Sequence, residues 1–246
     1  MCFSAEASFV AAAVTAAAGA YAVARVPDRS FLLFASIPLV FAIQQALEGF
    51  VWIGLDTGAS TDVLNTLSKS FLLIGEAVWP LWIPLAVLAI EPDPMRRRVM
   101  SAAAVIGGLM LAGFAAMILL ADYNPTIQSG CICYQGRIGA PSGSGFYPFA
   151  PGQGWQISGL DWMLVPYAAT TIGTLLISSR NAVRGFGGVS GIGLIVSLLL
   201  YRHALISVWC FFAAAASIVV VWTIVAERRK TPATHATSGR RVWPPR

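Results

Sequence analysis

The chain is dominated by seven long stretches of mostly apolar residues. A helix crosses a bilayer with roughly 20 such residues, at about 1.5 Å of rise each. The stretches cover residues 4–24, 30–55, 67–90, 99–121, 160–178, 186–202 and 204–226. Backbone polar groups in lipid must be satisfied internally, and these runs lack the alternation of barrel strands. The sequence therefore predicts an all-α, polytopic membrane protein with a seven-transmembrane-helix bundle at 1–226 and a basic, disordered tail at 227–246.

The composition agrees with a lipid environment. Of the 246 residues, 57% are apolar and 11% are charged, whereas soluble domains carry roughly a quarter charged residues. The mean hydropathy is +0.72. An ordinary soluble globule, a disordered chain and a nucleic-acid-binding domain are poor fits. The net charge of +5 comes from basic residues beside membrane ends, so we expect the bilayer and its anionic head groups as partners.

The distribution of basic residues predicts the orientation. If alternate connections share a side, 13 of the 16 Lys and Arg residues fall on one side of the membrane. These are Arg25, Arg29, Arg96, Arg97, Arg98, Arg180, Arg184, Arg228, Arg229, Lys230, Arg240, Arg241 and Arg246. Cytoplasmic loops carry the excess of Lys and Arg, so we predict an external N-terminus and a cytoplasmic C-terminus. If the sixth and seventh stretches formed one broken segment across the tight link at Tyr201–Ala204, the C-terminal tail would lie outside. The six basic residues of the tail argue against this arrangement.

One long connection, residues 122–158, lies outside in this arrangement. Its aromatic residues, among them Tyr123 and Tyr134, predict that it folds back over the mouth of the bundle. Cys131 and Cys133 lie in it, and Cys2 falls on the same side. Disulfides persist outside the cytoplasm, so these three are disulfide candidates, although connectivity cannot be read from a sequence. The chain has only two histidines, and we expect no metal site.

Two acidic residues are clearly embedded, Glu48 in the second stretch and Glu76 in the third. Glu48 lies seven residues before Leu55 and Glu76 seven residues after Lys69, which puts both about 10 Å below the outer boundary. Ionisable groups at such depth usually face the bundle interior or a water-filled cavity.

Helical spacing extends this candidate site. On the second stretch Gln44, Gln45 and Trp52 share one face with Glu48, and on the third stretch Trp79 lies one turn after Glu76. The pattern predicts an outward-facing polar pocket that binds or transports a small solute or cation. In the alternative interpretation each glutamate hydrogen-bonds its neighbours and only fixes helix packing. For the threonines of the fifth stretch, Thr170 and Thr174, hydrogen bonds within their own helix are favoured over a site.

Sequence signatures of enzymes and cofactors are missing. There is no Gly-x-Ser-x-Gly elbow, no phosphate-binding loop and no His-Glu-x-x-His motif, and the last stretch has no lysine for a retinal Schiff base. These features favour a protein that is not an enzyme and has no cofactor. One alternative is an intramembrane enzyme with Cys2 or Cys210 as nucleophile and His203 or Glu48 as base. Another is a sensor or assembly subunit, and the oligomeric state is open.

Four short motifs resemble an uncharacterised family of bacterial multi-pass membrane proteins. They are residues 1–5 (MCFSA), 44–49 (QQALEG) followed by Trp52, 79–82 (WPLW) followed by Pro84 and Glu91, and 207–214 (SVWCFFAA). The motifs include Glu48 but not Glu76. The resemblance implies a bacterial inner (plasma) membrane protein and supplies no activity, substrate or cofactor.

Overall fold

The computed structural model describes residues 4–137, 164–201 and 204–230, and this part of the chain is mostly helical. Within it, six helices are long and apolar enough to cross a membrane, which indicates a membrane protein. We label them α1 (Ala5–Ala24), α2 (Arg29–Asp56), α3 (Thr61–Ile90), α4 (Pro94–Leu120), α6 (Asn181–Leu200) and α7 (Leu205–Arg229). A shorter apolar helix, α5 (Leu164–Leu176), lies between α4 and α6 in the chain.

The predicted stretches all coincide with helices, but one of them is short. Stretch 160–178 corresponds to α5, whose described part is too short to count among the six membrane-crossing helices. Its first predicted residues, 160–163, lie outside the described residues. The count of seven crossings is therefore still a prediction. The last helical segment ends at Lys230, beyond the predicted start of the tail, and the rest of the tail lies outside the described residues.

Polar side chains cap the helix starts. Ser4 Oγ accepts a hydrogen bond from the N–H of Ala7 at 3.2 Å, before α1. The Asp93 carboxylate accepts one from the N–H of Arg96 at 2.8 Å, before α4, and Ser60 caps α3 in the same way. Each cap satisfies an N–H that has no partner within the helix, so these residues locate the boundaries.

Two of the helices contain π-helical segments. In α3 the segment Leu73–Val78 separates the helical runs Thr61–Leu72 and Trp79–Ile90. In α5 the segment Ala169–Gly173 follows the run Leu164–Ala168. Such segments are rare and are frequent at functional sites. The π-helical segment of α3 ends just before Trp79 and Pro80, and the helix continues through Pro84.

Close helix packing depends on a few glycines. A Cβ added at Gly107 of α4 would lie 2.0 Å from the carbonyl oxygen of Pro80 in α3. A Cβ at Gly187 of α6 would lie 2.7 Å from the Cβ of Leu175 in α5. Small residues let helix backbones approach closely in a membrane bundle.

Residues 122–137 form a β-hairpin, which was not predicted from the sequence. Strands β1 (Asp122–Gln128) and β2 (Cys131–Arg137) pair antiparallel, with a turn through Ser129 and Gly130, both at positive φ. Positive φ at both central residues is typical of two-residue hairpin turns.

The hairpin packs on the first half of α3. The side chain of Asn65 accepts a hydrogen bond from the N–H of Tyr123 at 3.0 Å, and the ring of Tyr134 stacks on Phe71 with centroids 4.8 Å apart. Both tyrosines are buried. This confirms, for these two aromatic residues, that the connection folds back onto the bundle.

Candidate functional site

The predicted polar face of α2 is buried. Gln44, Gln45 and Glu48 are fully buried and Trp52 nearly so. The carboxyl group of Glu48 accepts hydrogen bonds from Ser207 Oγ of α7 and from Gln45 Nε2, the latter at 3.4 Å. Glu48 therefore joins α2 to α7 in the interior of the bundle.

The α3 part of the predicted pocket adjoins the same face. Trp79 Nε1 donates a hydrogen bond to Gln44 Oε1 at 2.9 Å, and its ring stacks on Phe41 of α2 with centroids 4.1 Å apart. Glu76 lies in the π-helical segment and is buried. The structure thus brings the predicted residues of α2 and α3 together through Gln44 and Trp79.

Helix α7 supplies a thiol beside this contact. A Cβ added at Gly75 would lie 3.0 Å from Gln44 Nε2 and 3.7 Å from Cys210 Sγ, so glycine leaves room for both groups against α3. Cys210 is buried and also lines the cavity beside Trp79 and Tyr167. The two carboxyl groups of Glu48 and Glu76 make no hydrogen bond with each other.

Helix α5 contributes a tyrosine. Tyr167 is buried and its hydroxyl donates a 2.6 Å hydrogen bond to the carbonyl oxygen of Gly75, in the π-helical segment of α3. The hydroxyl groups of Thr170 and Thr174 donate to carbonyl oxygens of their own helix, as predicted. Parts of α2, α3, α5 and α7 therefore converge on one buried polar cluster.

Several buried polar atoms of these helices have no hydrogen-bond partner among the described residues. They include Gln45 Oε1, Trp52 Nε1, Ser68 Oγ, Trp82 Nε1 and both carboxyl oxygens of Glu76. Buried polar groups are nearly always paired, with protein, with water or with a bound ion.

Trp52 lies in the core rather than at a lipid-facing end, whereas Trp222 is 63% exposed, as a membrane-interface tryptophan would be.

No Lys or Arg side chain among the described residues forms an ion pair with either embedded carboxyl group. Lys69, on the same helix as Glu76, instead donates to the carbonyl oxygen of Leu119 at 3.1 Å and lies 3.9 Å from Asp122. The second ion pair of the described chain joins Arg180 to Glu227 at 3.0 Å, at the opposite end of α3.

A small cavity adjoins the cluster. Its volume is about 30 Å³, enough for a water molecule or a similarly small group. Aromatic rings form much of its wall, together with the thiol of Cys210. The aromatic lining residues are Phe41, Trp79, Tyr167, Phe186 and Trp209.

The disulfide candidates lie elsewhere. Cys131 and Cys133 are buried in β2, next to Ala204 and Val208 at the start of α7. Cys2 lies outside the described residues, so its pairing stays a prediction. His203, the alternative base, lies outside them as well. Cys210 and Glu48, the other members of the alternative enzyme site, belong to the polar cluster.

Some members of the site were not predicted. Ser207 stands in the sequence only within the motif at 207–214, and Tyr167 was not among the predicted site residues, because the sequence does not show which distant residue either side chain contacts. A further buried carboxyl group, that of Glu91, directly follows α3. It accepts hydrogen bonds from the hydroxyl of Ser179, from the N–H of Ser179 at 3.0 Å and from Ser178 Oγ at 2.8 Å. Burial by itself would raise the pKa of Glu91, but these bonds and that from the N–H of Asp93 outweigh it and lower the pKa below its usual value.

Comparison with known proteins places the chain in a family. The sequence pattern of DUF6629, a family of unknown function, matches residues 1–135 and 152–237. The chain belongs to this family. The matched ranges contain every residue of the buried polar cluster described above. They include Glu76, which the four short motifs do not contain. No curated protein and no solved structure matches the chain. The expected membership of an uncharacterised family is confirmed, and the bacterial origin stays a prediction.

Proposed function

We propose that this protein binds a small monovalent cation at the buried carboxyl groups of Glu76 and Glu48. The observation that carries the proposal is the state of Glu76: it is buried, neither of its carboxyl oxygens is hydrogen-bonded, and it forms no ion pair within the described chain. An ionised carboxylate inside a membrane protein needs a compensating positive charge. A bound cation would supply it.

The surrounding groups suit such a ligand. Besides the Glu76 oxygens, Gln45 Oε1 is an acceptor without a partner among the described residues. Carboxylate and amide oxygens are preferred ligands of hard cations. The rings of Phe41, Trp79 and Tyr167 line the adjoining cavity, and aromatic faces attract ammonium ions. The shared chemistry is one positive charge on a small ion, either an alkali-metal ion or a small primary ammonium ion.

Topology enters the proposal as well. The buried helix α5 and the apolar residues before it would complete a seventh crossing, and the basic residues favour an external N-terminus. With this orientation the carboxyl groups of Glu48 and Glu76 would lie nearer the outer side of the membrane, the side from which a solute outside the cytoplasm would reach them. We further propose that the membrane is the inner membrane of a bacterium, because the short motifs resemble proteins of that location.

Thermal unfolding of the purified full chain in lipid nanodiscs tests cation binding. Sodium, potassium, methylammonium and N-methylglucamine chlorides would be compared at equal ionic strength. A ligand at 100 times its Kd stabilises by about 2.7 kcal/mol, which for a chain of this size raises Tm by about 5–10 °C. We expect such a rise with one of the small cations and none with bulky N-methylglucamine.

Two variants make the test specific. Glu76→Gln preserves the shape of the side chain and should abolish the cation-dependent rise. Asp56→Asn removes an exposed carboxylate at the end of α2 and should keep it. Equal effects of all four salts, or an unchanged rise in Glu76→Gln, would refute the proposal. Uptake of the binding cation by proteoliposomes then distinguishes transport from binding alone.

A further inference from the structure

A second candidate site lies at the surface, where α4 and α6 begin and α5 ends. A groove of about 410 Å³ is lined there by Arg96, Arg184, Met95, Val99, Leu176 and Ile177. The two arginines come from different helices, and the four other side chains are apolar. This groove is far along α3 from the Glu76 cluster, at the end of the bundle that carries Glu91.

Neither arginine of the groove has an acidic partner in the described chain. The guanidinium of Arg96 donates to the carbonyl oxygen of Ile177 at 2.9 Å, and that of Arg184 donates to the side chain of Asn181. Both acceptors are neutral. A guanidinium group has five N–H donors, so most donors of both groups are available to a ligand.

The acidic residues at this end of the bundle are engaged elsewhere. Glu91 accepts hydrogen bonds from the serines of the α5–α6 connection, Asp93 caps α4, Asp28 caps the first turn of α2, and Glu227 pairs with Arg180. The positive charge of the groove is therefore not neutralised from within the described chain. The positive ends of the α4 and α6 helix dipoles lie at the same place and add to it.

The apolar part of the groove is exposed. Met95 is 66% exposed and Val99 is 53% exposed, and Leu176 at the end of α5 and Ile177 directly after it are exposed as well. Val99 lies about one turn further along α4 than Met95, so the apolar side chains continue from the arginines along the membrane-spanning part of the helix. A ligand that fits must combine an anionic group with an apolar chain.

We propose that this groove binds an anionic glycerophospholipid, with its phosphodiester on Arg96 and Arg184 and an acyl chain along Val99 and Leu176. Arginine recognises phosphate with paired N–H donors, and basic pockets between membrane helices bind lipid head groups. A head group with a net negative charge is preferred over a zwitterionic one, because the latter brings its own cation next to two guanidinium groups. The inference is independent of the cation proposed for Glu76.

Binding of short-chain lipids to the detergent-solubilised full chain tests this site. Dioctanoyl phosphatidylglycerol, dioctanoyl phosphatidylcholine and inorganic phosphate would be titrated, with native mass spectrometry as the readout. We expect the anionic lipid to bind more tightly than the zwitterionic lipid, and inorganic phosphate not to compete at the same concentration. Equal binding of the two lipids would overturn the proposal, and so would displacement by inorganic phosphate, which would make the groove a simple anion site.

Variants that remove the positive charges of the groove are the second part of this test. Removing one arginine near a membrane surface should weaken lipid binding about fivefold, and removing both about 25-fold. Arg184→Gln is the primary variant, because its described contact is with a surface side chain, whereas Arg96→Gln also removes a bond to α5. Arg228→Gln is the matched control, since Arg228 is an exposed arginine of α7 that does not line the groove. Unchanged affinity in Arg184→Gln, or an equal loss in Arg228→Gln, would overturn the proposal.

Discussion

Gly107 of α4 offers a sharp test of how the bundle packs. A Cβ at this position would lie 2.0 Å from the carbonyl oxygen of Pro80 and 2.9 Å from the Cα of Leu81. Pro84 has no N–H with which to bond the Pro80 carbonyl, as a residue four positions later in a regular helix would. The surface of α3 is therefore open at this carbonyl, and α4 approaches it directly. The substitution Gly107→Ala places a methyl group in this contact.

The cost follows from the geometry. Ordinary van der Waals contact begins near 3.4 Å, so the backbones must separate by about 1.4 Å. Both groups in the clash belong to helix backbones, and neither can rotate away as a flexible side chain would. Overpacking of this kind costs about 1–3 kcal/mol, and we expect about 3 kcal/mol here. For a chain of this size that lowers Tm by about 6–12 °C.

Thermal unfolding in nanodiscs, followed by tryptophan fluorescence, measures this effect. Gly108→Ala is the matched control, because a Cβ at Gly108 would meet nothing within 4 Å. This variant introduces the same chemical change in the same helix. We expect its Tm to stay within about 2 °C of that of the parent protein, since substitutions away from contacts cost little stability. Equal Tm values for the two variants would refute the close packing of α4 on α3.

Three further predictions concern hydrogen bonds. Tyr167→Phe removes the bond to the Gly75 carbonyl and should lower the free energy of unfolding by about 1 kcal/mol; an unchanged urea midpoint would contradict that bond. Ser207→Ala removes a donor from buried Glu48 and should cost about 1–3 kcal/mol, with Ser207→Thr retaining more stability if the hydroxyl is what counts. Because the pKa of Glu91 is lowered in the folded protein, its ionised form stabilises the fold. This contribution is complete above the ordinary pKa of 4.5 and is lost as the pH falls through the lowered value. The Tm difference between the parent and Glu91→Gln should therefore shrink on acidification below about pH 4.5, and a constant difference would argue against this role.

The positions of the helices were predictable because membrane insertion depends on local apolar content. A run of about 20 residues carries this signal without reference to any other part of the chain. The burial of Gln44, Gln45 and Glu48 was predictable for a similar reason, since helical period alone puts polar residues on one face. The hairpin was not, because the sequences of β1 and β2 lack a clean alternation of apolar and polar residues, and their pairing depends on contacts with α3.

The candidate site shows the same division. The sequence pointed to Glu48, Glu76 and Trp79 through their depth in the membrane and their spacing. It did not reveal Ser207 as the donor to Glu48, because 159 positions separate the two residues and helix order along the chain does not specify which faces meet.

The amino-acid sequence alone is thus sufficient to establish a membrane-embedded helical chain with acidic residues inside it, since transfer of each segment into lipid is governed by its own side chains. Only tertiary packing establishes that Glu76 is left without a partner in the described chain while Glu48 has one, and that two arginines from α4 and α6 share a groove. The physical reason is that helices associate through short-range contacts of shape, such as Gly107 against Pro80, which depend on three-dimensional fit between distant parts of the chain.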